Sequence, residues 1–457
     1  MTKISQYHVQ PAGGEVTEPA ETCGIQKDSM TRSAFLTVLL LMIVPAAFGQ
    51  ALPAAEGAPI STGFALPRAA GTLQYAVSAA ETLSWGYYSN SGVSSSTILN
   101  GDLAYLSISK NFPFSAVLAG GRSWANSGQP SYSFVNLGMS QVANIGRWNF
   151  VFSDSVSYLP GTPTTGVAGV TGLGDIGVTP VQNNGQGVLT NYSSRVQNTV
   201  SGSLQREVTG KTSVYGSGSY GIVRFLNDSA AYAALDNNSI SGSGGFTHHL
   251  NVRNNFGGSY TYSTYTFAGH NVSTAPPGFT SQTASFSYSH QFTRKVGMSF
   301  SAGPQWSKID FGGTGQSLSV FASAGATYAA ERSNLSLSYV RSTNSGFGVV
   351  GGSLSDSVLF TATKTFGRVW NASGTAAFTR SASLPSQFVV PYTSYTTLAG
   401  GQLSRALVRN LSAYGSFTIA NQSNKGSSNA VDLFSGVSQT LAFGLTYSPS
   451  TIHIGRP

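Results

Sequence analysis

The chain has 457 residues, of which only 9% are charged, and its mean hydropathy is close to zero at +0.01. So little charge argues against an ordinary soluble domain, in which about a quarter of the residues are charged. The 11% of aromatic residues argue against a disordered Gly/Ser-rich chain. A wall with one face in lipid and the other in water fits this composition best, with a secreted β-solenoid as the alternative at this point.

An export signal is the first element along the chain. Arg32 precedes the apolar run 34–44, and the small-residue site 47–49 follows. A basic flank, a short apolar run and such a site are typical of a secretory signal peptide, and the run is too short for a transmembrane helix. Residues 1–49 are therefore predicted to be an N-terminal extension and signal peptide.

The start of the chain has two interpretations. Residues 1–29 are polar, so either Met30 is the true start or Met1 begins a long n-region. Cys23, the only cysteine, lies in this stretch, and the exported chain would then contain no disulfide. Residues 50–71 are rich in Ala, Pro and Gly and are predicted to form a periplasmic leader.

Apolar and polar residues alternate from about residue 72 onward. In 283–292, for example, Ala284, Phe286 and Tyr288 share one parity, and mainly serines hold the other. Because side chains on a strand point to opposite faces in turn, this pattern predicts strands with one apolar and one polar face. No later segment approaches the roughly 20 apolar residues of a transmembrane helix, so strands would make any membrane crossing.

Short polar breaks, nearly all of them basic, separate these runs. They recur mostly at intervals of about 40 residues, which is room for two strands and one longer loop, the hairpin period of an up-and-down barrel. A propeller blade has a similar period but needs shorter strands than these. The breaks lie at Lys110-Asn111, Gly146-Arg147, Gly210-Lys211, 251–254, Arg294-Lys295, 332–334, Gly367-Arg368 and Arg409-Asn410.

Eight short turns imply sixteen strands, and two flanking strands raise the predicted count to about 18. The first lies within about 72–88 and the last at 436–447. Sixteen strands is the alternative, because the first strand has the weakest pattern. The predicted fold is an all-β, antiparallel, up-and-down transmembrane β-barrel over 72–448, with a C-terminal tail at 449–457.

A family resemblance follows from these features. The signal peptide, the alternating strands, the Gly/Ser/Asn-rich loops and a final strand with Phe443 and Tyr447 resemble bacterial outer-membrane porin-like barrels. The chain also resembles uncharacterised acidobacterial barrels. The resemblance implies an outer-membrane location and insertion by the barrel assembly machinery, which reads the last aromatic strand. The tail after Tyr447 departs from the pattern: either Ile452-His453-Ile454 extends the strand, or the machinery tolerates an overhang.

The long interval between two of the basic turns contains 161–194, which is rich in Gly, Thr, Val and Asn. By the same resemblance, it has the position of the constriction loop that folds into the lumen of general porins. An extra hairpin or a surface loop is the alternative interpretation.

No motif for catalysis or cofactor binding stands out. G-x-G-x-x-G occurs at Gly172-Gly174-Gly177 and at Gly216-Gly218-Gly221, but no amphipathic helix follows to hold a pyrophosphate. The histidines lack metal-ligand spacing, and H-E-x-x-H and G-x-S-x-G do not occur. The chain is predicted to be no enzyme and to bind no cofactor or metal, although spacing alone leaves a Ser/His or an Asp/His pair at the barrel rim open.

Four basic residues continue the apolar parity at the outer ends of strands: Arg224, Lys308, Arg341 and Arg380. Cations just above an aromatic girdle lie at the level of lipopolysaccharide phosphates. They are predicted to contact these phosphates, with plain solvation of the rim as the alternative.

The basic turn residues are predicted to ring the periplasmic mouth, where they favour anions slightly or simply keep the turns in water. The inward faces are mainly Ser, Thr, Asn, Gln, Gly and small apolar residues, which predicts a weakly selective lumen. The ring consists of Lys110, Arg147, Lys211, Arg253, Arg294, Lys295, Arg332, Arg368 and Arg409.

The predicted function is an outer-membrane porin-like channel for passive diffusion of small hydrophilic solutes. The alternative is a non-conducting barrel that acts as an adhesin, an envelope scaffold or part of an export assembly. The expected partners are outer-membrane lipid and lipopolysaccharide, the barrel assembly machinery and small polar solutes, and the porin resemblance is compatible with a homo-oligomer. Nucleic acid is not expected, because the positive charge is spread over turns and rims.

Overall fold

The computed structural model describes residues 71–86, 92–107, 109, 111–127, 131–159, 194–226, 236–267, 278–309, 316–344, 352–384, 392–426 and 435–454. The chain divides into two units, 1–46 and 47–457, and all of the described residues belong to the second. The predicted signal peptide, almost all of the predicted leader, Lys110 and nearly all of the long loop 161–194 lie outside the described residues.

The described part of the second unit consists of strands. They are β1 Gly71–Trp85, β2 Val93–Ser107, β3 Phe114–Ser127, β4 Tyr132–Ile145, β5 Trp148–Leu159, β6 Arg195–Thr209, β7 Thr212–Phe225, β8 Asn237–Asn251, β9 Asn254–Phe267, β10 Phe279–Thr293, β11 Val296–Ile309, β12 Gln316–Ala330, β13 Ser333–Asn344, β14 Ser353–Phe366, β15 Trp370–Ser383, β16 Thr393–Val408, β17 Leu411–Lys425, β18 Gly436–Tyr447 and the short β19 Ile452–Ile454.

Each strand from β1 to β18 pairs antiparallel with its neighbours in sequence, and β1 also pairs with β18. The sheet therefore closes on itself as an up-and-down barrel. This confirms the predicted fold and the count of 18, with β19 as a short addition. Among the described residues, no helix is long and apolar enough to cross a membrane.

Seven described short turns lie at one end of the barrel, which we call the short-turn end, and each carries a basic residue. Polar side chains at the strand ends close these turns. Asn251 Oδ1 accepts the backbone N–H groups of Arg253 and Asn254, both at 2.9 Å. Short polar side chains commonly bond the backbone two or three residues further on. Gly146 and Gly367 take positive φ angles of 61° and 64°, which glycine adopts without strain.

The two faces of the wall differ as the alternation predicts. Val77, Leu99 and Leu445 share one face and are 44–49% exposed, whereas Ser78 and Asn100 on the other face are at most 5% exposed. Since a closed wall crowds side chains on its concave side, the apolar face is the outer one. In a transmembrane barrel this face contacts lipid, and the polar face lines the interior.

Outward-facing aromatic residues mark both edges of the apolar band, and cations stack on several of them. Trp148 and Trp370 lie next to the short-turn end, and Trp124 lies towards the opposite end. Tryptophan is typical of the membrane–water interface, and cation–π contacts add stability there. The cation-to-ring distances are 4.9 Å for Arg206–Trp148, 5.2 Å for Arg405–Trp370, 5.0 Å for Lys364–Phe366 and 5.8 Å for Arg122–Trp124.

After Tyr447 the chain continues alongside β1. Val77 of β1 pairs with Tyr447, and Leu73 pairs with Ile452 of β19. Three residues of β1 thus face the four residues 448–451, which is a one-residue bulge. Of the two alternatives for the tail, the structure has the one in which Ile452–Ile454 extend the last strand along β1.

The wall opens locally at the end opposite the short turns. The pairing of β12 with β13 stops at Ala322 and Arg341, although both strands continue. Beyond that point, Thr343 Oγ1 of β13 lies 3.4 Å from Ser307 Oγ on the inner face of β11. The end of β13 therefore leans inward past β12 and narrows the interior on that side.

Candidate functional site

The inner face of the barrel is the main candidate site, because it is a mainly polar surface enclosed by the wall, interrupted by larger apolar residues such as Ile98, Phe134 and Phe279. Its side chains are mostly Ser, Thr, Asn and Gln, with Gly and Ala between them. Three of the described side chains that face inward by strand alternation are charged: Asp102, Arg195 and Glu207. The composition predicted for the inner face from the sequence agrees with this surface.

Inward-facing hydroxyls bond to one another between neighbouring strands, and one row of serines crosses eight consecutive strands. The oxygen–oxygen distances are 2.6 Å for Ser153–Ser201, 2.6 Å for Ser217–Ser243, 2.7 Å for Ser219–Ser241 and 2.8 Å for Ser259–Ser285. The row runs through Ser153, Ser201, Ser219, Ser241, Ser263, Ser281, Ser307 and Ser317. A hydroxyl both donates and accepts hydrogen bonds, so this wall can act as a donor or as an acceptor towards water and neutral polar solutes.

The described residues contain no arrangement typical of catalysis. His248 Nδ1 contacts Thr212 Oγ1 at 2.8 Å, and His290 Nδ1 contacts Asn254 Oδ1 at 2.6 Å. Both histidines face outward near the short-turn end, away from the serine row. In the part of the chain that the structure describes, no group of three or more His, Cys, Asp or Glu residues could hold a metal ion.

The structure brings the described members of the predicted mouth ring to one end of the barrel. Eight of the nine residues are described, all eight are exposed, and all lie in the short turns. Two acidic residues, Glu207 and Glu331, lie at the same end and reduce the positive charge of the ring. The eight are Arg147, Lys211, Arg253, Arg294, Lys295, Arg332, Arg368 and Arg409.

The four predicted rim cations face outward at the opposite end, but they are not equivalent. Arg341 and Arg380 share the carboxylate of Asp356: Arg341 Nη1 donates to Oδ1 at 3.0 Å, and Arg380 Nη1 donates to Oδ2 at 3.1 Å. The hydroxyl of Tyr339 donates to the same Oδ1 at 3.0 Å. Asp356 is only 16% exposed, so this cluster is partly desolvated and has a formal charge of +1.

The other two rim cations differ from this cluster. The guanidinium of Arg224 donates from Nη1 to the carbonyl oxygens of Val223 and Asn237, at 2.8 and 2.9 Å, and from Nη2 to Asn238 Oδ1 at 2.6 Å. Lys308 is exposed and forms no ion pair with a described residue. The sequence reasoning missed Asp356, because only its position opposite both arginines in the register makes it part of the cluster.

Tyr392 precedes β16 at the end opposite the short turns and is 4% exposed. Its hydroxyl donates to Asn424 Oδ1 at 2.7 Å. Burial raises the pKa of Tyr392 to about 12, because the phenolate would lose its hydration there. Tyr392 is therefore a neutral hydrogen-bond donor at physiological pH.

No family model and no curated protein matches the sequence. Among solved structures, the chain is similar to the Pseudomonas aeruginosa protein OccK2 (OpdF) in complex with glucuronate, at 10% identity and a TM-score of 0.42, with 83% of this chain and 98% of that chain covered. It is also similar to a BenF-like porin from Pseudomonas fluorescens Pf-5, at 10% identity and a TM-score of 0.42, with 83% and 99% covered. Strand pairing alone defines the closed barrel fold of this chain, and the acidobacterial resemblance stays a prediction.

Proposed function

We propose that the chain is an outer-membrane channel through which small hydrophilic solutes diffuse passively. One observation carries the proposal: an 18-stranded wall closes with its apolar face outward and a nearly uncharged hydroxyl surface inward. A barrel of 16–18 strands is wide enough to leave an aqueous interior, whereas one of about eight strands is filled by its own side chains. The polar lining supports a water-filled interior of this kind.

The lining suggests weak selectivity. Hydroxyls replace part of the hydration of a neutral solute without holding it tightly, because they are neutral and each also bonds a neighbour or water. The exposed basic ring supports a slight preference for anions, since rings of charge set the preference of a pore. In this proposal the short-turn end faces the periplasm.

Conductance of the processed chain, refolded into a planar lipid bilayer, tests the proposal directly. Stepwise current increases are expected, because each inserted barrel adds one aqueous path. A folded barrel that never conducts would contradict the proposal and would favour the non-conducting alternative, an adhesin, envelope scaffold or part of an export assembly.

A matched pair of cysteine variants makes this test specific. The processed chain contains no cysteine, and Ser241 and Ile240 are adjacent on β8 with opposite orientations. A charged, water-soluble thiol reagent is expected to lower the current of Ser241→Cys, because the modified side chain projects into the conducting path. Ile240→Cys faces outward, away from the conducting path, and is expected to keep its current. An equal response of the two variants would contradict the assignment of the inner face.

We propose further that the outward cations opposite the short turns contact lipopolysaccharide phosphates, with Arg224, Lys308, Arg341 and Arg380 as the contact set. Their outward parity near strand ends supports this, although Asp356 already neutralises part of the Arg341/Arg380 pair. Lipid A binding after changing all four to Gln tests the proposal. Unchanged binding would remove it.

We propose further that the chain reaches the membrane in two steps. The chain is exported by its signal peptide, and the barrel assembly machinery inserts it. The final aromatic strand, which ends at Tyr447 and is extended by β19, supports recognition by that machinery. Depletion of the machinery is expected to leave the chain unfolded in the periplasm. Normal insertion after depletion would contradict this part.

A further inference from the structure

One lipid-facing carboxylate lies far from both edges of the apolar band. Asp154 shares its parity with Trp148, Phe150 and Phe152 of β5, so it faces outward. It lies six positions along β5 from Trp148, which marks the edge next to the short-turn end; this is about 20 Å of strand and about 15 Å of height in a wall tilted by roughly 40°. An apolar band is about 25 Å tall, so Asp154 lies near its middle.

The immediate neighbours of Asp154 only partly satisfy it. Asn198, also on the outer face, donates from Nδ2 to Oδ1 of Asp154 at 2.8 Å. Among the described residues, no cation forms an ion pair with Asp154. The other outward charges lie nearer a strand end or against an aromatic residue of the band edge, as Arg206 does on Trp148. The outward carboxylate of Glu81, four positions before the end of β1, accepts two hydrogen bonds, from Thr97 Oγ1 at 2.8 Å and from Asn126 Nδ2 at 2.9 Å. A carboxylate in hydrocarbon is costly, which marks such positions as functional candidates.

A depression without side chains lies directly beside this carboxylate. Five outward glycines form two cross-strand rows on β6, β7 and β8. A Cβ at four of them would meet only a backbone oxygen at 3.7–3.9 Å, and at Gly202 it would meet nothing within 4 Å. Packing within the barrel therefore does not require glycine here. The rows are Gly202, Gly218 and Gly242, and below them Gly216 and Gly244.

The two flanks of this glycine floor carry complementary groups. On the β5 side lies the acceptor Asp154, next to Phe152. On the β9 side lie Tyr260 and Tyr262, which are 48% and 42% exposed on the outer face. A twofold axis through the floor and along the membrane normal would place β5 of one copy against β9 of the other. Each carboxylate would then lie near Tyr262, whose hydroxyl is a hydrogen-bond donor, whereas the hydroxyl of Tyr260 already donates to Gln282 Oε1 at 3.0 Å within its own chain.

We propose that the outer face of β5–β9 is the interface at which a second copy of this chain binds within the membrane. Hydrophobic burial gives little drive in lipid, so close approach over small residues and polar contacts must supply it. Five strands about 4.8 Å apart over a band about 25 Å tall give about 500–600 Å² per copy, which is at the lower limit for a specific interface. The inference rests on the membrane location of the proposed function and not on conduction.

The mass of the processed chain in detergent and the photobleaching steps of labelled chains in vesicles test the interface. The unchanged chain is expected to be a dimer, and Gly218→Leu with Gly242→Leu is expected to be a folded monomer, because two bulky side chains fill the floor. The matched control is Gly374→Leu with Gly401→Leu, since Gly374 and Gly401 are an outward cross-strand pair on β15 and β16. The control is expected to stay dimeric. A monomeric unchanged chain, or equal behaviour of both double variants, would overturn the proposal.

A crosslinking measurement covers the case in which a leucine variant fails to fold. Gly218→Cys lies near the axis and is expected to form a disulfide between copies after oxidation in vesicles, whereas Gly374→Cys is not. Crosslinking of both or of neither would overturn the interface. A monomer that conducts would leave the channel proposal standing, and a dimer that never conducts would leave the interface standing.

Discussion

Two carboxylates on the outer face, Asp356 and Asp154, have very different surroundings. Asp356 lies near the start of β14, between Arg341 and Arg380, and its charge is more than compensated. Asp154 lies in the middle of β5 with one neutral amide for a partner. The difference indicates that Asp356 is neutralised within the barrel, whereas the mid-height carboxylate of Asp154 is tolerated because something outside the barrel covers it.

The largest change in the free energy of unfolding is expected for Asp356→Ala. Without the shared carboxylate, two half-exposed arginines face each other, and three charge-assisted hydrogen bonds are lost. The free energy of unfolding should fall by about 2 kcal/mol. Urea unfolding in lipid vesicles, followed by tryptophan fluorescence, measures it. Asp356→Asn keeps an acceptor and should lower the free energy of unfolding by less. An unchanged unfolding midpoint for the alanine variant would show that the cluster contributes nothing to stability.

Asp154→Val should shift stability in the opposite direction. At a low ratio of protein to lipid, where chains are separate, the substitution removes a lipid-exposed carboxylate and should stabilise the single barrel by about 1 kcal/mol. The same unfolding measurement applies. A loss of stability would mean that Asp154 serves the single barrel, and the contrast with Asp356 would disappear.

Asn198→Leu isolates the contribution of the amide. Alone, it leaves the carboxylate of Asp154 without its described donor and should cost about 1 kcal/mol. In the Asp154→Val background the same change should cost almost nothing, because no acceptor is left. A double-mutant cycle in vesicles measures the coupling; equal costs in both backgrounds would indicate that Asn198 acts through other contacts.

Substitutions of the rim cations are expected to have the smallest effects on stability, and the effects should differ between Arg380 and Lys308. Arg380→Gln breaks an ion pair with a carboxylate that is 16% exposed and should cost about 1 kcal/mol. Lys308→Gln should leave the unfolding midpoint unchanged, because the side chain is exposed and forms no ion pair with a described residue. Similar losses for both would show that the cations act through the lipid rather than through Asp356.

Much of the fold was predictable because its signals are local. Arg147, Lys211 and Arg409 each mark a turn of two residues, and counting such turns gave the 18 strands that the structure has. Alternation around Phe286 and Tyr288 assigned the two faces without knowledge of any neighbour. These features depend on a few consecutive residues, so composition and spacing are sufficient to find them.

The cluster around Asp356 depends on register and was not predictable. Asp356 lies opposite Arg341 on one side and Arg380 on the other, and a slip of one residue would move it to the inner face. Register also changes at bulges such as that between Glu207 and Thr209, for which the sequence carries no distinct signal. The same holds for the glycine floor beside Asp154, which exists only because three strands align.

The pairing that closes the wall has a consequence for how the chain folds. Every other seam joins strands that are consecutive in sequence, but β1 meets β18 and β19 only when nearly the whole chain is available, as the pairs Gly71–Ile454 and Val77–Tyr447 show. The entropy of closing that loop is lost in a single late event. Until then both terminal strands expose bare backbone edges that aggregate or pair wrongly. We therefore expect the last seam to limit the folding rate, and a catalyst that shields either edge to accelerate folding more than any change within a hairpin.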